Sequence, residues 1–164
     1  MSNISIIIVS IIVLTGCVSL EQQKANLYRD MSNVYSDLYE EEIIQFFVDE
    51  AIQAGVKKIR RMQPSDILPP VNEYEIVGCG YALKKSKTIL IEVAKPLCVK
   101  LNGLAHEISH IGSNCSGHND VFYNYNFEVA KRYKNRFPNA AKRKWFDPVQ
   151  DVANVAAIYR SERC

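Results

Sequence analysis

All three histidines of the chain lie in one short stretch, His106-Glu107-Ile108-Ser109-His110-Ile111-Gly112-Ser113-Asn114-Cys115-Ser116-Gly117-His118. Two histidines four residues apart project from the same face of a helix, which is the separation that one tetrahedral Zn²⁺ requires of two imidazoles. The glutamate after the first histidine of this H-E-x-x-H pattern is the usual general base of a zinc hydrolase. The stretch therefore predicts one Zn²⁺ per chain and a hydrolytic function, with a peptidase as the leading candidate.

The sequence offers two candidates for the third zinc ligand, His118 and Glu128. His118 follows seven residues rich in glycine and serine, a flexible segment that lets the chain turn back toward His110. Glu128 is the rival because another class of zinc peptidases takes a glutamate from a downstream helix, but the aspartate expected four residues later is Arg132 here. We expect His118 to bind and Glu128 to be a solvated helix residue. Three histidine ligands leave a fourth position for water, which is typical of a catalytic zinc.

The predicted chemistry assigns a role to Glu107. Zinc lowers the pKa of a bound water to about 7 and polarises the scissile carbonyl. Glu107 would take a proton from that water and later hand it to the leaving amine. Tyr81, Tyr123 and Tyr125 are near in sequence, but tyrosines of this kind more often pack, so no oxyanion residue is assigned. We expect Asp120 to cap the helix that begins there rather than to orient His118.

The amino terminus carries an export pattern. Residues 1–20 have no charged side chain, and residues 4–13 are almost entirely aliphatic, a run too short to cross a membrane. Leu14-Thr15-Gly16-Cys17 resembles the bacterial lipobox, in which the cysteine is lipidated with fatty acids such as palmitate and the preceding peptide is removed. We predict a signal peptide at 1–16 and an acylated, membrane-anchored Cys17. The alternative is an uncleaved membrane anchor.

Both alternatives place the domain outside the cytoplasm. Val18, not aspartate, follows Cys17, which in a Gram-negative host favours the outer membrane, facing the periplasm. Four further cysteines in a disulfide-permissive compartment predict disulfides whose pairing the sequence does not decide: Cys79, Cys98, Cys115 and Cys164. The Cys98–Cys115 pair is the least favoured because the two residues lie near opposite ends of one predicted helix. Cys115 could also be a zinc thiolate, but we prefer a disulfide or an inert thiol.

The segments after Cys17 predict an α+β domain. Residues 17–37 are polar and are expected to form a lipidated tether with some helix, and residues 38–164 the metallopeptidase domain. Apolar residues at helical spacing predict a helix over 38–62, with basic residues at its end and Gly55 as a kink or stop. Strands at 74–83 and 88–93 flank Lys84-Lys85-Ser86-Lys87, so an antiparallel hairpin is expected. Gly78 and Gly80 predict a bulge or a close backbone approach.

The second half of the domain is predicted to be helical. Pro96 would open the central motif helix and Gly112 would stop it. A further helix over 118–136 would end at Pro138 and turn five residues inward: Val121, Phe122, Tyr125, Val129 and Tyr133. A last helix is expected over 148–160. The fold expected overall is a small zincin-like domain, with helices packed on a short antiparallel sheet.

The order of these motifs resembles a family. Gly80-Tyr81-Ala82 and Ile89-Leu90-Ile91, then His-Glu-Ile-Ser-His, then Gly117-His118-Asn119-Asp120-Val121-Phe122 look like the SprT-like and WLM group of minimal zinc metallopeptidases, over about residues 74–135. The resemblance implies His106, His110 and His118 as ligands and Glu107 as the catalytic acid and base. The loop before His118 is longer than in the shortest members, and an export signal contrasts with cytosolic or nuclear relatives that cut proteins crosslinked to DNA.

The composition of the chain limits the classes of binding partner that we expect. Lys and Arg exceed Asp and Glu by only two, and 48% of residues are hydrophobic, as in a folded globular protein without a nucleic-acid-binding charge excess. We expect a protein or a cell-wall peptide as substrate, and no nucleic acid. The competing hypothesis is a non-catalytic zinc-binding lipoprotein with a structural or surface role. Glu107 argues against it, because zinc binding needs only the histidines.

Overall fold

The computed structural model describes residues 18–66, 80–93 and 101–139. Over these residues the chain forms four helices and a three-stranded sheet, which confirms the α+β prediction. The prediction of an antiparallel sheet is wrong in part: the sheet is mixed, because one of its two strand pairs is parallel. The elements are, in chain order, α1 Leu20–Tyr35, α2 Glu41–Ala54, β1 Lys58–Arg61, β2 Gly80–Leu83, β3 Thr88–Ile91, α3 Leu101–Ser113 and α4 Asp120–Arg136. The predicted signal peptide, Cys17, Gly78, the start of the motif helix at Pro96, the last helix, and Cys79, Cys98 and Cys164 lie outside the described residues. Within the described ranges, no helix has the length and apolar character needed to cross a membrane.

Helix α1 occupies most of the segment that we predicted to be a tether. The Ser19 hydroxyl caps it by accepting a hydrogen bond of 3.1 Å from the Gln22 N–H. Leu27, Met31 and Val34 recur at helical spacing and are buried in the core. Residues 20–35 are therefore a packed part of the domain. The polar composition of the segment hid this narrow apolar stripe.

The prediction of one helix over residues 38–62 is wrong for the second half of that range. Helix α2 ends at Ala54, and Gly55 takes the left-handed conformation (φ 80°) in which its N–H bonds the carbonyls of the last turn. The chain then forms β1, which pairs in parallel with β3. The basic residues assigned to the helix end lie instead around this strand, so they do not complement the helix dipole. A four-residue strand that depends on a partner some 30 residues away leaves no periodic pattern.

The predicted hairpin is confirmed. Strands β2 and β3 pair antiparallel, with Gly80 opposite Ile91 and Leu83 opposite Thr88, on either side of the lysine-rich turn. Strand β3 is central in the order β1-β3-β2. Its Ile89, Leu90 and Ile91 are all buried, which is the pattern of a strand covered on both faces.

Helix α3 is the central element of the described core. Its predicted stripe of Leu101, Leu104, Ile108 and Ile111 is buried. The helix passes the expected stop at Gly112 and ends at Ser113, and Asn114 takes the left-handed conformation (φ 58°). Gly112 serves packing instead, because a Cβ there would clash with the hydroxyl end of the Tyr125 side chain from α4.

Helix α4 differs from its prediction in two details. Asn119 caps it, with its side-chain oxygen accepting from the N–H groups of Val121 and Phe122 at 3.1 and 3.2 Å; Asp120 is the first helical residue and is not the cap. Val121 is exposed rather than inward, whereas the next residue, Phe122, is buried. The helix ends at Arg136, before Pro138 as predicted.

Candidate metal centre

Three imidazoles converge at the end of α3. The Nε2 atom of His106 lies 3.1 Å from the Nε2 of His110 and 3.0 Å from the Nε2 of His118. The ligand atoms of all three side chains lie within 4.8 Å of one another. Two nitrogens bound to one tetrahedral Zn²⁺ at about 2.05 Å would be about 3.3 Å apart. The two pairs that include His106 lie near this separation, and the three predicted histidines are close enough together to bind one metal ion.

Helix and loop each contribute to this convergence. His106 and His110 stand one turn apart on α3, so the helix itself aligns them. His118 is brought back by the loop of residues 114–117, which we call the ligand loop. The Ser113 hydroxyl donates to the Ser109 carbonyl at 2.6 Å and accepts from the Cys115 N–H at 3.2 Å, fixing the start of the turn.

Lys84 holds the ligand loop from the hairpin. Its ammonium donates to the Asn114 carbonyl at 3.3 Å and to the Ser116 hydroxyl at 2.7 Å. These bonds join two segments that are about 30 positions apart in sequence. The loop that carries the third histidine is thus attached to the sheet as well as to α3.

The tautomer of the neutral His110 ring follows from its hydrogen bond. Its Nδ1 lies 3.0 Å from the Cys115 carbonyl oxygen, and a carbonyl only accepts, so Nδ1 donates. The neutral ring then has its Nε2 lone pair facing the other imidazoles, which is how a metal-binding histidine is usually held.

The surroundings favour neutral imidazoles. Burial, followed by the nearby His110 and His118, lowers the pKa of His106 well below its usual value. Burial and then His118 lower the pKa of His110 to about 4; the Cys115 carbonyl opposes this and the Lys84 charge adds to it. A histidine must be neutral to bind a metal ion, so these groups stand ready without losing a proton at neutral pH.

Phe122 forms a common support for the three rings. Its centroid lies 4.9 Å from His106, 4.4 Å from His110 and 4.9 Å from His118, and its side chain is buried. An apolar ring at this position excludes water from one side of the cluster and limits rotation of the imidazoles. The sequence predicted that Phe122 points inward, but not that it contacts all three histidines.

Glu107 lies between α3 and the sheet. It is 7% exposed, and Gly80 of β2 passes so closely that a Cβ there would be 2.9 Å from the Glu107 Cγ and 2.8 Å from the Leu90 oxygen. The close backbone approach predicted for Gly80 is confirmed. Burial, then Tyr39, then the Glu107 charge raise the pKa of the Tyr35 hydroxyl, so α1 also approaches this carboxylate.

Two rival ligands are removed by the structure. Cys115 is disulfide-bonded, so it offers no zinc thiolate; its partner lies outside the described residues. Glu128 is half-exposed and forms an ion pair of 3.5 Å with Lys131 on the same helix, which is the solvated role that we expected.

The supporting contacts were largely absent from the sequence prediction. The Cys115 carbonyl and the Ser113 hydroxyl act through the main chain, and no residue pattern marks them. Lys84 was assigned only to a polar turn, because its contact with the ligand loop depends on tertiary packing. In comparisons with known proteins, no family model, curated protein or solved structure matches the chain.

Proposed function

We propose that the protein is a zinc-dependent metallopeptidase, anchored outside the cytoplasm by a lipid on Cys17. The observation that carries the proposal is the convergence of the His106, His110 and His118 Nε2 atoms in a helix where Glu107 follows the first ligand. Nitrogen ligands in a tetrahedral arrangement suit Zn²⁺. With three protein ligands, one position stays open, as in catalytic zinc sites.

Each residue of the site has a separate role in the proposed hydrolysis. A bound zinc ion would supply Lewis acidity toward the scissile carbonyl and lower the pKa of water. Glu107 accepts the proton of the attacking water and delivers it to the departing amine. Its burial beside Gly80 holds the carboxylate in one place. Phe122 and the Cys115 carbonyl keep the imidazoles in position.

Metal content and hydrolysis, measured on the same samples, test the catalytic part. The wild type should carry one zinc per chain and cleave casein or the peptide crosslinks of peptidoglycan. Glu107→Gln should keep its zinc and lose at least about 100-fold in rate, because it removes the general base. His118→Ala should lose zinc and activity together. Glu128→Gln, which changes an exposed carboxylate on α4, is the matched control and should match the wild type.

The outcomes separate the competing functions. Bound zinc without hydrolysis in every sample would favour the non-catalytic zinc-binding lipoprotein. A carefully purified wild type without zinc would overturn the metal centre. The anchor is tested separately by incorporation of labelled palmitate, which Cys17→Ser should abolish while the zinc content of the domain stays the same.

A further inference from the structure

The start of α1 lies very close to the proposed lipid. Only Val18 and Ser19 separate Cys17 from Leu20, the first residue of the helix. An extended chain spans about 3.5 Å per residue, so the three steps from Cys17 to Leu20 cover about 10 Å. Val18 and Leu20 are exposed apolar residues. Because α1 is packed into the core, the surface around its first turn must lie near the membrane.

Two contacts gather lysines at this end of the domain. The Gln23 side chain donates to the Val56 carbonyl at 3.0 Å, which places the connection between α2 and β1 beside the first turn of α1. The Lys57 N–H bonds the Lys87 carbonyl at 2.8 Å, which adds the hairpin turn. Four lysines form what we call the lysine cluster: Lys57, Lys58, Lys85 and Lys87. The first three are exposed and Lys87 is half-buried.

Acidic residues are concentrated at the opposite end. Lys24 in α1 pairs with Asp49 in α2 at 3.1 Å, so the two helices run antiparallel and the start of α1 lies beside the end of α2. Glu40, Glu41 and Glu42, at the start of α2, are therefore far from the anchored end. Glu21 is the acidic residue in the first turn of α1. The lysine cluster therefore lies at the end next to Cys17, together with Glu21 and Asp49, and the three adjacent glutamates lie at the end away from it.

We propose that the lysine cluster docks the domain on an anionic phospholipid surface, with the first turn of α1 as the pivot. This inference rests on lipidation of Cys17 in the proposed function. A lipid combined with basic residues is a common two-part membrane signal, and each lysine near an anionic surface contributes about fivefold in affinity. Lys84, in the same turn, contacts the ligand loop. Docking therefore places the metal centre at the membrane side of the domain, with access to peptide bonds close to the lipid surface.

Lysine footprinting on the full lipidated chain tests the orientation. The protein is reconstituted into vesicles of phosphatidylcholine, with or without phosphatidylglycerol, and exposed amines are acetylated and measured by mass spectrometry. The lysine cluster should be protected several-fold in the anionic vesicles, and high salt should remove the protection. Lys131 and Lys134 on α4, which lie outside the cluster, should be acetylated equally in both.

A paired set of variants sharpens the test. Lys57→Glu/Lys58→Glu should abolish the protection of Lys85 and Lys87, which remain as reporters, whereas Lys131→Glu/Lys134→Glu should leave it intact. Equal protection in neutral and anionic vesicles, or no protection in either, would overturn electrostatic docking. A chain that fails to associate with any vesicle would instead contradict the lipid anchor, and zinc binding would be unaffected by either result.

Discussion

The ion pair between Glu50 and Arg132 connects α2 to α4, the helix that carries Phe122. The Arg132 Nε and Nη2 atoms donate to the two Glu50 carboxylate oxygens, each at 2.7 Å. The Glu50 side chain is only 5% exposed, while that of Arg132 is 35% exposed. Water can solvate the guanidinium of Arg132 but hardly reaches the Glu50 carboxylate, so the loss of Arg132 leaves the carboxylate without solvation. We predict that Arg132→Met strongly destabilises the protein.

The magnitude follows from the buried charge. Removing one partner of a buried ion pair costs about 3–5 kcal/mol, because the other charge stays out of water. Protonating a free glutamate at pH 7 costs about 3.7 kcal/mol. Proton uptake by Glu50 would therefore not reduce the loss of stability below this range. Arg132 is partly exposed, and water can replace it in part, which favours the lower end of the range. We expect a loss of about 3 kcal/mol and a fall in Tm of roughly 6–12 °C.

Urea unfolding followed by circular dichroism measures this loss. Glu50→Leu/Arg132→Met removes both charges and should recover most of the stability. Lys131→Met breaks the exposed pair with Glu128 and should change the free energy of unfolding by less than about 1 kcal/mol. If Arg132→Met matches Lys131→Met, the pair does not hold α4 to α2.

Three further predictions concern the metal centre. Lys84→Met should weaken zinc affinity by about 10-fold, because the ligand loop loses its hydrogen bonds to the hairpin. Lys85→Met, in the same turn, should leave the affinity unchanged. Equal affinities of the two variants, measured with a competing chelator, would show that Lys84 does not support the site. Gly80→Ala should reduce hydrolysis at least about 10-fold with zinc retained, since the added methyl group would lie 2.8 Å from the Leu90 carbonyl oxygen and 2.9 Å from the Glu107 Cγ, so that β2 and the Glu107 side chain must shift. Unchanged rates would show that β2 does not restrain Glu107. Zinc at about 100 times its Kd should stabilise the fold by about 2.7 kcal/mol, and neither zinc nor a chelator should shift the Tm of His118→Ala.

The convergence of the histidines could be predicted because it depends on short-range geometry. His106 and His110 are aligned by any helix that contains them, and His118 follows within one loop. The hairpin could be predicted for the same reason, since strand alternation and a polar turn are local signals. These features require no knowledge of how distant segments pack.

The rest of the fold depends on contacts between distant segments. Strand β1 exists because its backbone pairs with β3, and its four residues carry no strand pattern of their own. Helix α1 has a polar sequence, and its burial depends on the apolar surface that α2 offers to Leu27 and Met31. In both places, pairing or packing with a later segment prevailed over the local signal.

The hairpin turn links the two proposals, yet its lysines act on different partners. The Lys84 ammonium donates hydrogen bonds to the ligand loop. The Lys87 carbonyl instead accepts a hydrogen bond from the Lys57 N–H, at the end of the domain next to Cys17. A change at Lys84 should therefore alter zinc affinity with little effect on vesicle docking, because the lysine cluster remains. Charge reversal at Lys57 and Lys58 should do the opposite, since neither side chain contacts the ligand loop in the described structure. If both changes moved both properties together, the turn would be acting as one rigid unit, and the separation of roles drawn from these hydrogen bonds would be wrong.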